Sequence, residues 1–396
     1  MSEPLNLLDP ALLANPWPRY AELRSKPVCQ VEPNGTWVIS RYDDILAVLK
    51  HPNITSTAWS QVWLPPWLKR NPLAQSMIAA DPPKHTRLRS LVNTAFTGPA
   101  LARLETRIQM VADVLAEQSV ARGEVDFVSD FALALPAHVM GELLGLAPSM
   151  HPHLKHWSDD LMIIPSGQIL TPDQTARIQT SIDMLEHHVR EVAARRRSNP
   201  GDDMISDLVN AEVDGQRLTD DEVVSFGILL VMAGMETTIS LLTQCMRYLS
   251  EHPDVFEQVS AQRGRLIPNF IEEILRYEPP ITVVFRWTSG PVDVRGTVIP
   301  PGSMVTLLTA SGLHDETHFP DPETFRLDRT QSVSLVFGHG PHFCLGAMLA
   351  RTEARLGLQA LLMRIRSVRR GPGELTFPPG FLARNPINLP VVFEPK

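Results

Sequence analysis

Along most of the 396-residue chain, apolar residues recur at helical spacing. The pattern predicts helices over Pro16 to Arg24 and Tyr42 to Leu49, over Leu101 to Leu146 with short breaks, and over Met150 to Met162. Thr171-Pro172-Asp173-Gln174 and Thr219-Asp220-Asp221-Glu222 each carry the capping-box signature of a helix start, a hydroxyl followed three residues later by a side chain that reaches back. The first predicts a helix to Arg197, and the second one to Ser250, just before His252-Pro253. At 1.5 Å per residue that second helix is about 45 Å long and must cross the whole domain. Asp81-Pro82 reads as an N-cap with proline at the first helical position, opening a helix to about Phe96. Extended runs are few and short. Val28 to Val31 and Thr36 to Ser40 flank Asn34-Gly35, a hairpin signal; strands are predicted around Gly296 and Pro301-Gly302, with Met304 to Leu308 apolar enough to be buried; Pro379 to Phe393 reads as turns and a last hairpin. The expected class is therefore mainly α with small β-sheets (α+β), with a β-rich part around 28–40 and 281–310 and a helical core over 81–278 and 344–366. No linker or internal repeat divides the chain, which reads as a single domain.

Composition narrows the class. With 43 % hydrophobic and 20 % charged residues the chain is an ordinary globular one. The apolar run Ile228 to Met235 is too short to span a bilayer, and MSEPLNLLDP lacks the basic start and apolar core of a signal peptide, so a cytoplasmic location and no membrane association are expected. Lys and Arg total 36 against 44 Asp and Glu, a formal charge of −8, which argues against nucleic-acid partners. Cys29, Cys245 and Cys344 are far apart and form no CxxC pair, so neither a disulfide framework nor a cysteine-built zinc cluster is indicated.

The chemistry centres on Phe337 to Gly346, FGHGPHFCLG. Gly338 and Gly340 allow a tight backbone path, and Cys344 lies at the start of a helical pattern whose N-terminal N–H groups favour a thiolate, the form that binds metal. A lone cysteine in such a place is by itself as readily a buried structural thiol. The whole pattern, Phe-Gly-x-Gly-x-x-x-Cys-x-Gly with His342 two residues before the cysteine, resembles the haem-binding loop of the cytochrome P450 family of haem-thiolate monooxygenases.

Other segments resemble the same family in order and spacing. Ala233-Gly234-Met235-Glu236-Thr237 is similar to its oxygen-activation motif, in which an acid and an alcohol sit at a local opening of the long helix above the haem. Without the resemblance, Thr237 can simply bond back to the carbonyl four residues earlier and Glu236 can hydrogen-bond within the core. His85 and Arg89 share a helix face that would otherwise read as solvated; the resemblance implies that they bind the haem propionates, as does Arg286. Glu273 and Arg276, three apart, match the family's buried E-x-x-R pair, which locks the loop before the cysteine. The segment FPDPETFRLDR matches the loop that supplies this pair with a third member, but Thr324 stands in the usual arginine place, leaving Arg326 or Arg329.

The resemblance implies haem b with Cys344 as axial thiolate, Phe337, His342, His85, Arg89 and Arg286 around the cofactor, and Glu236 and Thr237 as the proton-delivering pair. It implies insertion of one atom of O₂ into an apolar small molecule, by hydroxylation or epoxidation, in secondary metabolism. Expected pocket residues are Trp59, Trp63, Met232, Ala233, Met235, Val283, Val284 and Phe381. Trp59, Trp63 and Trp67, four apart, read equally as one core helix face. Leu161 to Leu170, apolar and broken by Pro165 and Gly167, reads as a lid. No flavin or iron–sulfur motif is present, so a separate ferredoxin and ferredoxin reductase are expected to supply electrons to a monomer, docking on Arg103, Arg107, Arg351 and Arg355. Oxidative coupling, desaturation or peroxide-driven oxidation on the same scaffold remain open, as do a non-catalytic haem-thiolate sensor or apolar-ligand carrier and a zinc or iron site built from His339, His342 and Cys344.

Overall fold

A computed structural model describes residues 6, 9, 12, 15–31, 35–57, 67–68, 71–96, 98–164, 170–331, 333–377 and 382–396. The chain divides into two compact units: Met1–Ala58 with Glu257–Cys344 and Glu374–Ile387, and Trp59–Phe256 with Leu345–Gly373 and Asn388–Lys396.

The first unit is built on a five-stranded sheet in the order Val28–Val31, Thr36–Ile39, Met304–Leu307, Val284–Thr288, Ile54–Thr55. The first pair is antiparallel, Val28 opposite Ile39, and the next is parallel, Trp37 opposite Val305. Val292–Val294 and Thr297–Ile299 form a separate hairpin whose turn residues Arg295 and Gly296 both have positive φ, the twist-matched geometry of a two-residue turn. Ile39, Ile45, Ile299, Leu307, Phe319 and Leu335 are fully buried together in its core. Helix Arg263–Tyr277 turns Ile267, Phe270, Ile271 and Ile274 inward, a period near 3.6.

The second unit is helical. Its centre is Asp220–Glu251, 32 residues long, started by a complete capping box in which Thr219 accepts from the Glu222 N–H and Glu222 accepts from the Thr219 N–H. We refer to it as the core helix. Helices Ala134–Leu143, His151–Ile163, Pro172–Ser198 and Ala347–Arg364 pack against it. Thr171 starts Pro172–Ser198 with a second complete box. Among the described residues the core helix is the one long and apolar enough to cross a membrane, yet 72 % of its most apolar window is buried inside the protein.

Three expectations about elements are corrected. The helix expected from Pro82 begins at Lys84 and ends at Asn93, because Pro83 disfavours helical geometry at Pro82. Within the stretch from 101 to 146, Glu124–Asp126 is a strand, paired with Pro390–Pro395. The chain end is not a hairpin: Pro390–Pro395 lies between Glu124–Asp126 and Ile365–Arg370, so its partners come from distant sequence. Residues 165–169 of the expected lid and Trp59, Trp63 and Phe381 lie outside the described residues.

Candidate functional site

The first unit carries the cysteine loop. Ser334–Phe337 and Gly340–His342 are short 3₁₀ turns, the first anchored by the buried Leu335. Gly338 and Gly340, at φ +75° and +73°, take left-handed conformations that a side chain would strain, and a Cβ on Gly340 would lie 3.2 Å from the Leu49 carbonyl oxygen. The loop then closes on itself: the Cys344 N–H donates to the Phe337 carbonyl at 2.9 Å and the Phe343 N–H to the Gly340 carbonyl at 3.0 Å. Phe337 and His342 are half-buried, whereas Cys344 is exposed. The other two cysteines differ. Cys245 is fully buried and its pKa is pushed far up by burial, and Cys29 is half-buried and also raised by burial. Of the three thiols, Cys344 alone is presented outward by a tight loop.

The backbone before this loop is tied down by buried charge. Arg276 donates to both oxygens of Glu273 at 2.9 and 2.8 Å, with side chains 0 % and 2 % exposed, and spends its remaining N–H groups on the carbonyls of Leu313, Pro322 and Thr324. The third member of this network is Arg329, whose Nε donates to Glu273 at 3.1 and 3.2 Å while its terminal nitrogens reach the Pro320, Asp321 and Thr324 carbonyls. Arg326 contributes only its backbone N–H, at 2.9 Å to Glu273; its guanidinium turns to Asp328 at the surface. The Thr324 carbonyl thus serves two arginines. Every lone pair and N–H of the central pair is used, the condition under which a buried ion pair is tolerated.

On strand Val284–Thr288 the two-residue alternation puts Val284 and Arg286 on a half-open face and Phe285 and Trp287 on the buried one. Arg286 donates to the Phe285 carbonyl at 2.7 Å. Val283 is buried, and next to it Thr282 donates through its N–H to the Leu382 carbonyl, so this segment runs beside residues 382–383.

The second unit carries the acid, the alcohol and the His85–Arg89 pair. His85 is buried and Arg89 half-buried, one turn apart on Lys84–Asn93. Between Glu222 and Met246 the core helix is buried except at Leu230, Ala233, Gly234, Glu236 and Thr237; Ala233 is exposed although it lies in the middle of the helix. Leu230, Ala233 and Thr237 follow a three-to-four residue spacing and make one stripe facing open space. Met232 and Met235 point to the packed sides, Met235 with 0 % exposure. Gly234 is small because Met140 crosses it: a Cβ there would stand 2.8 Å from the Met140 sulfur. The Thr237 hydroxyl donates to the Ala233 carbonyl at 2.7 Å. Glu236 accepts from Lys155 of helix His151–Ile163 at 2.9 Å; burial raises its pKa, and the ammonium pulls it back only in part. Lys155 is marked by no motif: it is one cation among many in the sequence, selected by a contact that only folding creates. Arg329 is one of the two candidates the FPDPETFRLDR segment leaves, and the fold selects it over Arg326.

Arg103 and Arg107 each pair with Asp202 at 3.0 Å and Arg355 pairs with Glu105, so neighbouring acids offset the charge of these arginines. Among the described residues no group of three or more His, Cys, Asp or Glu side chains is placed to hold a metal ion, so His339, His342 and Cys344 do not make one.

A model of the family described as cytochrome P450 matches residues 16–134 and 168–372. The chain belongs to the cytochrome P450 family. This P450 is 41 % identical to cyclomarin C epoxidase CymV of Salinispora arenicola over 84 % of each chain. Its fold matches the solved structure of cytochrome P450 CYP109Q5 from Chondromyces apiculatus with a TM-score of 0.90 at 35 % identity, covering 99 % of this chain and 98 % of the other. It also matches CYP109E1 from Bacillus megaterium in complex with testosterone, at a TM-score of 0.86 and 32 % identity over 96 % and 99 %. The P450 is thus an oxidoreductase of the monooxygenase class, with the family's haem b, cysteine thiolate ligand and O₂ as co-substrate. An outward thiol on a glycine-shaped loop fits that cofactor.

Proposed function

We propose that this P450 inserts one atom of O₂ into an apolar small molecule, by hydroxylation or epoxidation, as a tailoring step in natural-product synthesis. The observation that carries the reading is the exposed Cys344 at the end of a loop held by two left-handed glycines. Cys344 would hold the haem iron through its thiolate, and His85, Arg89, Arg286 and His342 would donate to the haem carboxylates, turning buried charge into charge-assisted hydrogen bonds. Phe337 packs beside the loop. When bound, the haem iron with its thiolate activates O₂ for O–O cleavage.

The remaining steps belong to side chains. Glu236 takes protons from solvent and Thr237 passes them on along the open stripe, its hydroxyl leaving the Ala233 carbonyl to do so. Ala233 lines the substrate space, together with Val284 on the half-open strand face; Met232 and Met235 support it from the packed side. The chain works as a single haem-thiolate domain and a monomer in the cytoplasm, with a ferredoxin and its reductase as electron source. An epoxidase relative supports alkene oxidation, and a relative solved with testosterone supports a bulky apolar substrate.

The test is substrate discovery. Titration of the haem-loaded enzyme with steroids, terpenoids, fatty acids and polyketides should find a class that shifts the spin state and is then converted to a product one oxygen atom heavier. Products that are coupled dimers or desaturated compounds without added oxygen would replace this reading with another reaction on the same scaffold.

A further inference from the structure

Val284 belongs to a short segment, Ile281 to Val284, that runs beside residues 382–384 within the first unit. Thr282 joins the two. Its N–H donates to the Leu382 carbonyl at 2.9 Å, its hydroxyl reaches the same oxygen at 3.3 Å, and Ile281 and Ala383 pair as an isolated bridge. The Thr282 carbonyl accepts from the Ala310 N–H of helix Thr309–Leu313 at 3.0 Å, which fixes the segment on its other side. Two side chains close this junction. Tyr20, on helix Trp17–Ser25 and 2 % exposed, shares a hydrogen bond with the Thr282 hydroxyl; burial pushes its pKa up to about 12, so it stays a neutral O–H. Arg384, two residues past Leu382, donates at 3.4 Å to the buried Glu278, just beyond helix Arg263–Tyr277, and its guanidinium lies 5.3 Å from the centre of the Phe377 ring. A hydroxyl from near the start of the chain and a guanidinium thus grip residues 382–384 at both ends.

We infer that Tyr20 and Arg384 are positioning residues for substrate specificity, holding residues 382–384 in register against Ile281 to Val284 and so setting the depth of the apolar space beside Val284. This rests on the reading of Val284 as a wall of the substrate space. Leu382 and Ala383 have no polar side chain of their own, and their place beside Thr282 depends on backbone hydrogen bonds that form only while the segment is kept within reach. Apolar contact alone tolerates sliding and repacking, whereas a buried hydroxyl pair and a partly buried ion pair each favour one geometry. Anchors that served stability alone would lower resistance to unfolding without changing which ligand lengths fit.

The experiment compares haem-loaded wild type with Tyr20→Phe, Arg384→Met and Val284→Phe. Amide hydrogen exchange reads the Thr282 N–H, with the Ala310 N–H as internal reference. N-alkyl imidazoles from methyl to dodecyl then read the space by their absorption shift, because imidazole suits iron at one end while the chain enters apolar surroundings at the other. Each buried methylene should add about fourfold to affinity in wild type until the space is full. Tyr20→Phe and Arg384→Met should each speed exchange at Thr282 about tenfold, the equivalent of one lost hydrogen bond, and leave Ala310 as it is. Both should weaken the long-chain imidazoles by about tenfold while methylimidazole binds as it does to wild type. Unchanged exchange at Thr282 in either variant, or faster exchange with an unchanged chain-length series, overturns the inference. Val284→Phe tests the reading beneath it: a shorter optimal chain retains the wall, and a series identical to wild type removes it whatever the two anchors do.

Discussion

Glu273 and Glu236 are both carboxylates withdrawn from water beside a cation, and they are solved by the fold in opposite ways. Glu273 is saturated: two arginine side chains and the Arg326 N–H converge on it, and Arg276 also binds three carbonyls of the segment that leads to the cysteine loop. Glu236 has one lysine, itself shared with Asp159, and sits next to the open stripe of the core helix. Complete satisfaction fixes a conformation. Partial satisfaction leaves a group able to change its protonation, as proton delivery requires. A third acid extends the contrast. Glu353, on Ala347–Arg364, is 1 % exposed, its Oε2 has no hydrogen-bond partner among the described residues, and burial pushes its pKa up to about 8. It escapes the cost of buried charge by staying protonated.

The largest effect is expected where saturation is broken. Arg276→Ala strands Glu273 as an uncompensated buried charge and should cost about 3–5 kcal/mol in denaturant unfolding, with loss of haem retention. A cost below about 1 kcal/mol would show that the network is not what braces the loop.

Glu353→Gln should act in the opposite sense, and only above acid pH. The folded pKa of about 8 lies above the ordinary 4.5, so the contribution of the protonated acid is fully present below 4.5 and is lost as pH rises to about 8. The Gln variant should therefore resemble wild type near pH 4.5 and gain on the order of a few kcal/mol relative to it above pH 8. Parallel stability curves for the two proteins across that window would contradict the assignment of a buried neutral acid.

Arg329 and Arg326 sharpen the comparison within one network. Arg329→Ala should lose about 2 kcal/mol, because a guanidinium 4 % exposed is removed from Glu273 and three carbonyls. Arg326→Ala should leave the denaturant midpoint where it is in wild type, since only its backbone N–H reaches Glu273 and its side chain pairs at the surface. At Thr237→Ala the stability change should stay below about 0.5 kcal/mol, because its hydroxyl makes only a back-bond within the helix. In turnover that variant should still consume reductant and release more peroxide; unchanged coupling would remove Thr237 from the proton path.

What the sequence made legible is local. Both capping boxes form as written, because Thr171–Gln174 and Thr219–Glu222 bond within one turn and need no other part of the chain. The paired strands around Gly35 and around Gly296 were likewise readable from their turn residues. The strand Glu124–Asp126 was not, since three residues with one apolar side chain carry no periodicity and its partner Pro390–Pro395 lies more than 260 positions away. The motif residues of the cysteine loop and the core helix could be marked by resemblance, but the choice between Arg326 and Arg329, the tie from Lys155 to Glu236 and the direction of Met235 depend on packing. A charged residue gives no sign in sequence of which distant acid it will meet.

The most direct measurement is the absorption spectrum of the purified holoprotein, reduced under carbon monoxide, for wild type and Cys344→Ala. The account predicts a strongly red-shifted Soret band in wild type, from thiolate ligation, and its loss in the variant. A wild-type protein that binds no haem, or shows the spectrum of histidine-ligated haem, or a variant that keeps the shifted band, would contradict the role of Cys344.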